Sequence, residues 1–210
     1  MFTKNTIPCM ITLDSCKGDR KMTTKEMVYA ALFAALLGVL GMIPPIPLGF
    51  IPVPITLQTF GVILAGCFLG KKIGTISMVL FIVLVALGLP LLSGGRGGMG
   101  ALMGPSIGYI LSWPFAAFFI GYFTEKAWST LNLWKVIGVT LVFGVLFINI
   151  VGAPIMAMIT HTSTVGALMG GLAFLPGDCI KAVLAAVVAV QLKAVSPINT
   201  VALRHVVRTH

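Results

Sequence analysis

Asp178 and Lys181 stand three residues apart inside a long apolar stretch, directly after Pro176-Gly177. On a helix that spacing puts the carboxylate and the ammonium on one face, a turn apart. A carboxylate at a helix start also meets the positive end of the helix dipole. The pair alone admits two readings. It is a satisfied ion pair that fixes one helix against its neighbours, or it is part of a site that meets a ligand. Arg96 is the third charge of this kind. It lies in Ser93-Gly94-Gly95-Arg96-Gly97-Gly98-Met99-Gly100, where glycines let backbone approach a ligand closely. Arginine suits a bidentate grip on a carboxylate, and the alternative is a solvated loop arginine. Together the three groups fit a small anionic molecule with an acid at one end and hydrogen-bonding groups at the other. Arg96 and Lys181 would oppose the acid or polarise a carbonyl, and Asp178 would accept N–H donors.

Other chemistries find less support. Cys9, Cys16, Cys67 and Cys179 form no CxxC and no Cys/His cluster, so neither a metal site nor a disulfide framework is indicated. No GxxxxGK[ST] occurs, so the chain does not hydrolyse ATP through a phosphate-binding loop. Gly104-Pro105-Ser106-Ile107-Gly108 superficially resembles a serine-nucleophile turn, with His161 as a candidate base. No acid is placed to orient that histidine, and Pro105 among glycines reads better as a helix start.

The elements that must position the three charges are membrane helices. The chain has 210 residues, 58% hydrophobic and 9% charged, where a soluble domain carries roughly a quarter charged. A spanning helix needs about 20 apolar residues. Six apolar runs cover about 26–43, 55–70, 73–92, 105–123, 136–158 and 178–195. Thr23-Thr24 reads as the N-cap of the first. Five prolines between Pro44 and Pro54 make the first loop stiff and extended. Pro176-Gly177 breaks a glycine-containing stretch at 165–175 from the sixth run. Residues 1–22 read as a polar, disorder-prone N-terminal segment without the apolar core of a signal peptide, and Met22 is a candidate start. Residues 23–195 form the membrane domain, and 196–210 a basic tail.

Six spans place both termini on one side. If that side is the cytoplasm, 12 of the 14 Lys and Arg lie in cytoplasmic segments, as the positive-inside rule requires. The net charge of +9 is thereby explained without nucleic acid. Only Arg96, Asp178 and Lys181 are left within the membrane or at its outer face. Ionisable groups at membrane depth cost ~2.5 kcal/mol or more and are functional hypotheses by default. Small residues recur four apart: Ala30, Ala34 and Gly38, with Ala31 and Ala35 beside them, then Gly66, Gly70 and Gly74, then Gly104, Gly108, Ser112 and Ala116. Such stripes pack helices closely in lipid. The stripe on helix one is also a candidate docking face for a partner membrane protein.

Four segments resemble the BioY family, the biotin-binding substrate components of energy-coupling factor transporters. They are Val53-Pro54-Ile55-Thr56-Leu57-Gln58-Thr59-Phe60 with Gly66; Gly88-Leu89-Pro90 with Gly94-Gly95-Arg96-Gly97-Gly98; Gly104-Pro105-Ser106-Ile107-Gly108-Tyr109; and Phe174-Leu175-Pro176-Gly177-Asp178-Cys179-Ile180-Lys181-Ala182. Their order and spacing extend the resemblance over about residues 23–195. It implies an all-α integral membrane fold of six helices with both termini cytoplasmic, acting in the cytoplasmic membrane. The expected activity is biotin capture, without enzymatic chemistry and without a cofactor. It further implies that Arg96 holds the valerate carboxylate and that Asp178 and Lys181 hold the ureido ring. Asn149, Tyr109 and Gly98 are further candidates for the pocket. The Ala30–Ala34 and Ala31–Ala35 pairs would meet a transmembrane coupling (T) component, which works with two ATPase subunits.

Overall fold

The computed structural model describes residues 22–47, 49, 52–128 and 132–192. The expectations for residues 1–21 and for the tail 196–210 lie outside the described residues.

Helix α1 (Thr24–Met42) begins at a capping box. The Thr23 hydroxyl accepts from the Glu26 N–H at 3.3 Å, and the Glu26 carboxylate accepts from the Thr23 N–H at 2.8 Å. Two otherwise orphaned donors are thereby satisfied. The helix stops at Ile43, held extended by Pro44. Helix α2 (Gln58–Ala86) covers the second and third apolar runs. A short helix α3 (Gly98–Leu102) precedes α4 (Ile107–Lys126). Helix α5 (Leu133–Val139) passes through a π-helical stretch, Thr140–Leu146, into α6 (Phe147–Thr160). Helix α7 (Thr164–Gly171) leads through one 3-10 turn, Leu172–Phe174, into α8 (Leu175–Gln191). Among the described residues there is no strand, only the isolated bridges Ile46–Ile55 and Leu92–Arg96.

Five of these stretches are long and apolar enough to cross a membrane: Thr24–Met42, Gln58–Ala86, Ile107–Lys126, Leu133–Thr160 and Thr164–Gln191. Their outward faces are apolar too. Val28, Leu32, Phe115, Ile150 and Leu184 are each more than half exposed. A surface this apolar is at home in lipid and a liability in water.

The sequence reading separates two runs where α2 is one element. Gly70 explains the difference. Its φ of 79° and ψ of −178° lie outside helical space and in a region that favours glycine. A Cβ on Gly74 would stand 3.0 Å from the Ala65 carbonyl oxygen and 3.5 Å from the Gly66 Cα. In a continuous helix, residues 65 and 74 would be about 13 Å apart along the axis. The chain therefore reverses at Gly70 with no intervening loop. The two arms, Gln58–Leu69 and Lys71–Ala86, lie against each other, with Gly66 and Gly74 at the crossing.

Glu125 of α4 secures that reversal. Its Oε1 accepts the Lys71 backbone N–H at 2.8 Å, and its Oε2 lies 3.4 Å from the Lys71 ammonium. The carboxylate thus satisfies a donor at the start of the second arm. Glu125→Ala is expected to destabilise the fold by about 1–3 kcal/mol, the scale of a hydrogen bond to a charged group. Thermal unfolding in detergent checks this, and an unchanged midpoint would contradict the capping role.

Pro176 is the second difference. The sequence suggests a break at Pro176-Gly177, but α8 already begins at Leu175 with the proline in its first turn. Proline fits there because those N–H groups lack helical partners in any case. Asp178 and Lys181 consequently occupy the first two turns of α8, and both are buried.

Candidate ligand-binding cavity

The loop ends of the helices away from Lys71 and Glu125 enclose a cavity of about 620 Å³, counted with its opening to solvent. Each of the four segments that carry the family resemblance contributes to its wall. Val53, Pro54, Ile55 and Thr56 of the proline-rich loop form one side. Ile46 and Ile55 exchange backbone hydrogen bonds of 3.0 and 2.9 Å, which ties the two together across that loop. Ser93 and Arg96 contribute from the glycine-rich loop, Ser106, Tyr109 and Trp113 from the start of α4, Asn149 from α6, and Phe174 and Asp178 from the approach to α8.

Asp178 reaches the cavity with one oxygen committed. Its Oδ1 takes the Lys181 ammonium at 2.8 Å and the Thr59 hydroxyl at 3.4 Å. Those two bonds leave Oδ2 to accept from a ligand. Lys181 is not on the wall. Its ammonium donates to the Thr56 carbonyl at 2.6 Å, the Thr59 hydroxyl at 3.2 Å and Asp178. An ammonium has three protons, so this set satisfies it. From behind the wall, Lys181 joins the first loop to α8 and fixes Asp178 in place.

Arg96 stands at the exposed rim, on a turn in which Leu92 and Arg96 pair. Gly94 at φ 78° permits that turn. The Arg96 Nε donates to the Ser93 carbonyl at 3.1 Å, so the far nitrogens of the guanidinium can turn to a ligand. Gly98 begins α3 and is not among the lining residues. Tyr109 packs edge-on against Phe174 at 6.2 Å, and the bare Gly152 gives its ring room. The Asn149 Nδ2 donates to the Val145 carbonyl at 3.0 Å, which points the Oδ1 elsewhere.

The cavity also gathers the unsatisfied polar atoms. Among the described residues, five buried side-chain atoms lack a hydrogen-bond partner: Ser93 Oγ, Tyr109 Oη, Trp113 Nε1, Thr124 Oγ1 and Asn149 Oδ1. All but Thr124 belong to the wall. An unpartnered buried polar group costs about 1–3 kcal/mol, so four around one cavity define a place where a polar ligand is expected. Gln58, Ser93, Trp113 and Phe174 were not singled out by the sequence as site residues. Gln58 could have been, because it is the only amide between Met22 and Asn132 and lies in an apolar run.

Ser106 lines the cavity, whereas His161 is exposed at the end of α6, and no hydrogen bond joins them among the described residues. No group of three His, Cys, Asp or Glu able to hold a metal occurs among the described residues. The four helix-one alanines divide. Ala30 and Ala34 are buried in the bundle, where the Ala30 carbonyl accepts from the Ser77 hydroxyl at 2.9 Å. Ala31 and Ala35 are exposed on the neighbouring face.

An all-helical membrane protein with a polar-studded cavity at one end of its bundle is a small-molecule binding component of the membrane, and its sequence places it more closely. The BioY family profile matches residues 15–197, and the chain belongs to that family. It is 43% identical over 171 residues to the "Biotin transporter BioY" of Lactococcus lactis subsp. cremoris, covering 80% of this chain and 90% of the relative. It is 42% identical to the "Probable biotin transporter BioY" of Bacillus subtilis, covering 80% and 89% of the two chains. A crystal structure of the S-component for biotin from an ECF-type ABC transporter superposes with a TM-score of 0.78 at 42% identity, covering 82% of this chain and 95% of that one.

Proposed function

We propose that this chain captures biotin and carries it across the cytoplasmic membrane as the substrate-binding component of an ECF-type transporter. The carrying observation is the cavity wall, whose free polar atoms complement the two ends of the molecule. Biotin presents two N–H donors and a carbonyl on a fused ring and an acid on a flexible tail. Asp178 Oδ2 and Asn149 Oδ1 accept the ring N–H groups, and Lys181 holds Asp178 in place. Tyr109 or Trp113 donates to the ring carbonyl, and Arg96 at the rim meets the carboxylate. The relatives' names and the solved S-component support the same ligand. Those relatives are named as transporters, not as enzymes, and the ligand is cargo, not a cofactor.

Six crossings and cytoplasmic termini complete the reading. The reversal at Gly70 supports dividing α2 into two spans. Lys71, Lys72, Lys126 and Lys135 then lie on the cytoplasmic side, in keeping with the positive-inside rule. A T component and two ATPase subunits complete the proposed transporter, in keeping with the ECF-type S-component on which the chain superposes. Ala31 and Ala35, with Val28, Leu32 and Val39 exposed around them, form the docking face for that T component.

The carboxylate contact has a direct test. Biotin methyl ester is expected to bind the wild type at least about 10-fold more weakly than biotin, since losing a charged hydrogen bond costs about 1.5–3 kcal/mol. Arg96→Ala should weaken biotin but leave the ester nearly unchanged. Equal losses for both ligands would remove Arg96 from the carboxylate.

A further inference from the structure

Gln58 is 1% exposed and bonds three backbone groups on two segments at once. Its Nε2 donates to the Leu37 carbonyl of α1 at 3.2 Å and to the Leu91 carbonyl at 3.0 Å. Its Oε1 accepts the Ser93 N–H at 3.3 Å. Leu91 and Ser93 flank Leu92, the residue that pairs with Arg96 across the rim turn. Within the turn, Leu92 donates to the Arg96 carbonyl at 2.9 Å and accepts from the Gly95 N–H at 3.0 Å. The amide therefore grips the base of the loop that carries Arg96. The fit is close: a Cβ on Gly41 would collide with the Leu91 carbonyl and approach the Gln58 Nε2 to 2.8 Å. A buried amide with all these bonds made is costly to leave half-satisfied.

We infer that Gln58 is a positioning residue that locks the Leu91–Arg96 turn to α1 and so sets the preference of the site for an acid-bearing ligand. This rests on the assignment of Arg96 to the carboxylate. Gln58 lines the cavity, but its amide is committed to backbone on both sides, so it acts through the backbone it holds rather than through a bond to the ligand. Without the latch, the ring end of the cavity at Asp178, Asn149 and Tyr109 keeps its supports, while Arg96 loses its fixed base.

The test compares purified wild type and Gln58→Met, titrated with biotin and with biotin methyl ester. Methionine keeps the length of the side chain and removes all three bonds. Biotin affinity is expected to fall by roughly 10-fold, the scale of one lost charged contact, while the ester changes by less than about 2-fold. Loss of the same size for both ligands, or for neither, overturns the inference and leaves the biotin reading intact. A wild type that binds biotin and its ester alike overturns both this inference and the Arg96 assignment. Hydrogen exchange on the ligand-free wild type needs no variant. The Ser93 and Arg96 amides should be protected before biotin is added, and rapid exchange across 91–97 would show that no latch holds the turn.

Discussion

Asp178→Ala is expected to weaken biotin binding by about 2 kcal/mol or more, roughly 30-fold, because a charged acceptor for the ligand is removed. The same change should destabilise the empty protein by about 3–5 kcal/mol, since it strands the Lys181 ammonium without a counter-charge in a buried setting. One substitution thus touches two properties that must be separated. Asp178→Asn combined with Lys181→Met removes both charges together. Replacing both members of a buried pair is often neutral for stability, so the double variant should recover much of the melting temperature of the wild type. Its biotin affinity should not recover. Thermal unfolding and calorimetry on the same samples read the two effects. Recovery of binding along with stability would show that the pair only braces α8.

Gly121→Val is expected to be the most damaging single change to the fold away from the cavity. A Cβ at that position would overlap the Lys71 nitrogen and the Gly70 carbonyl carbon, and would stand 2.6 Å from the Lys71 Cα. These are backbone atoms at a turn that has no loop to absorb movement. Overpacking usually costs about 1–3 kcal/mol, and backbone obstacles put this site at or above the upper end. Loss of the monodisperse peak in detergent, or a sharply lowered unfolding temperature, is the expected result. A variant with the stability of the wild type would mean that α4 and the Gly70 reversal are not in close contact.

Much of this arrangement is legible in the sequence because lipid makes strong rules. The capping box at Thr23 and the proline stop after Met42 follow from local chemistry. Arg96 and Asp178 stood out because nothing in the topology accounted for them, and both line the cavity. Lys181 stood out for the same reason, but its role depends on Thr56, which lies 125 residues earlier in the chain. No local pattern carries that pairing. The unpartnered Trp113 Nε1 and Ser93 Oγ are invisible for a similar reason, since only tertiary packing decides whether a polar atom is left without a partner. The reversal at Gly70 was half legible. Lys71-Lys72 marks a boundary, but the tight crossing requires Gly66 to meet Gly74 and Gly121 to lie against Gly70 and Lys71. Ala30 and Ala34 share a helix with Ala31 and Ala35, and only the bundle decides which pair faces inward.

The most direct test of biotin capture is isothermal titration of the purified, monodisperse protein with biotin, without any other subunit present. Saturable one-to-one binding with a dissociation constant of about 1 μM or lower, roughly −8 kcal/mol, is the predicted result. Folded protein that gives no binding signal with biotin would contradict it, and would leave a membrane protein whose polar cavity serves a different ligand.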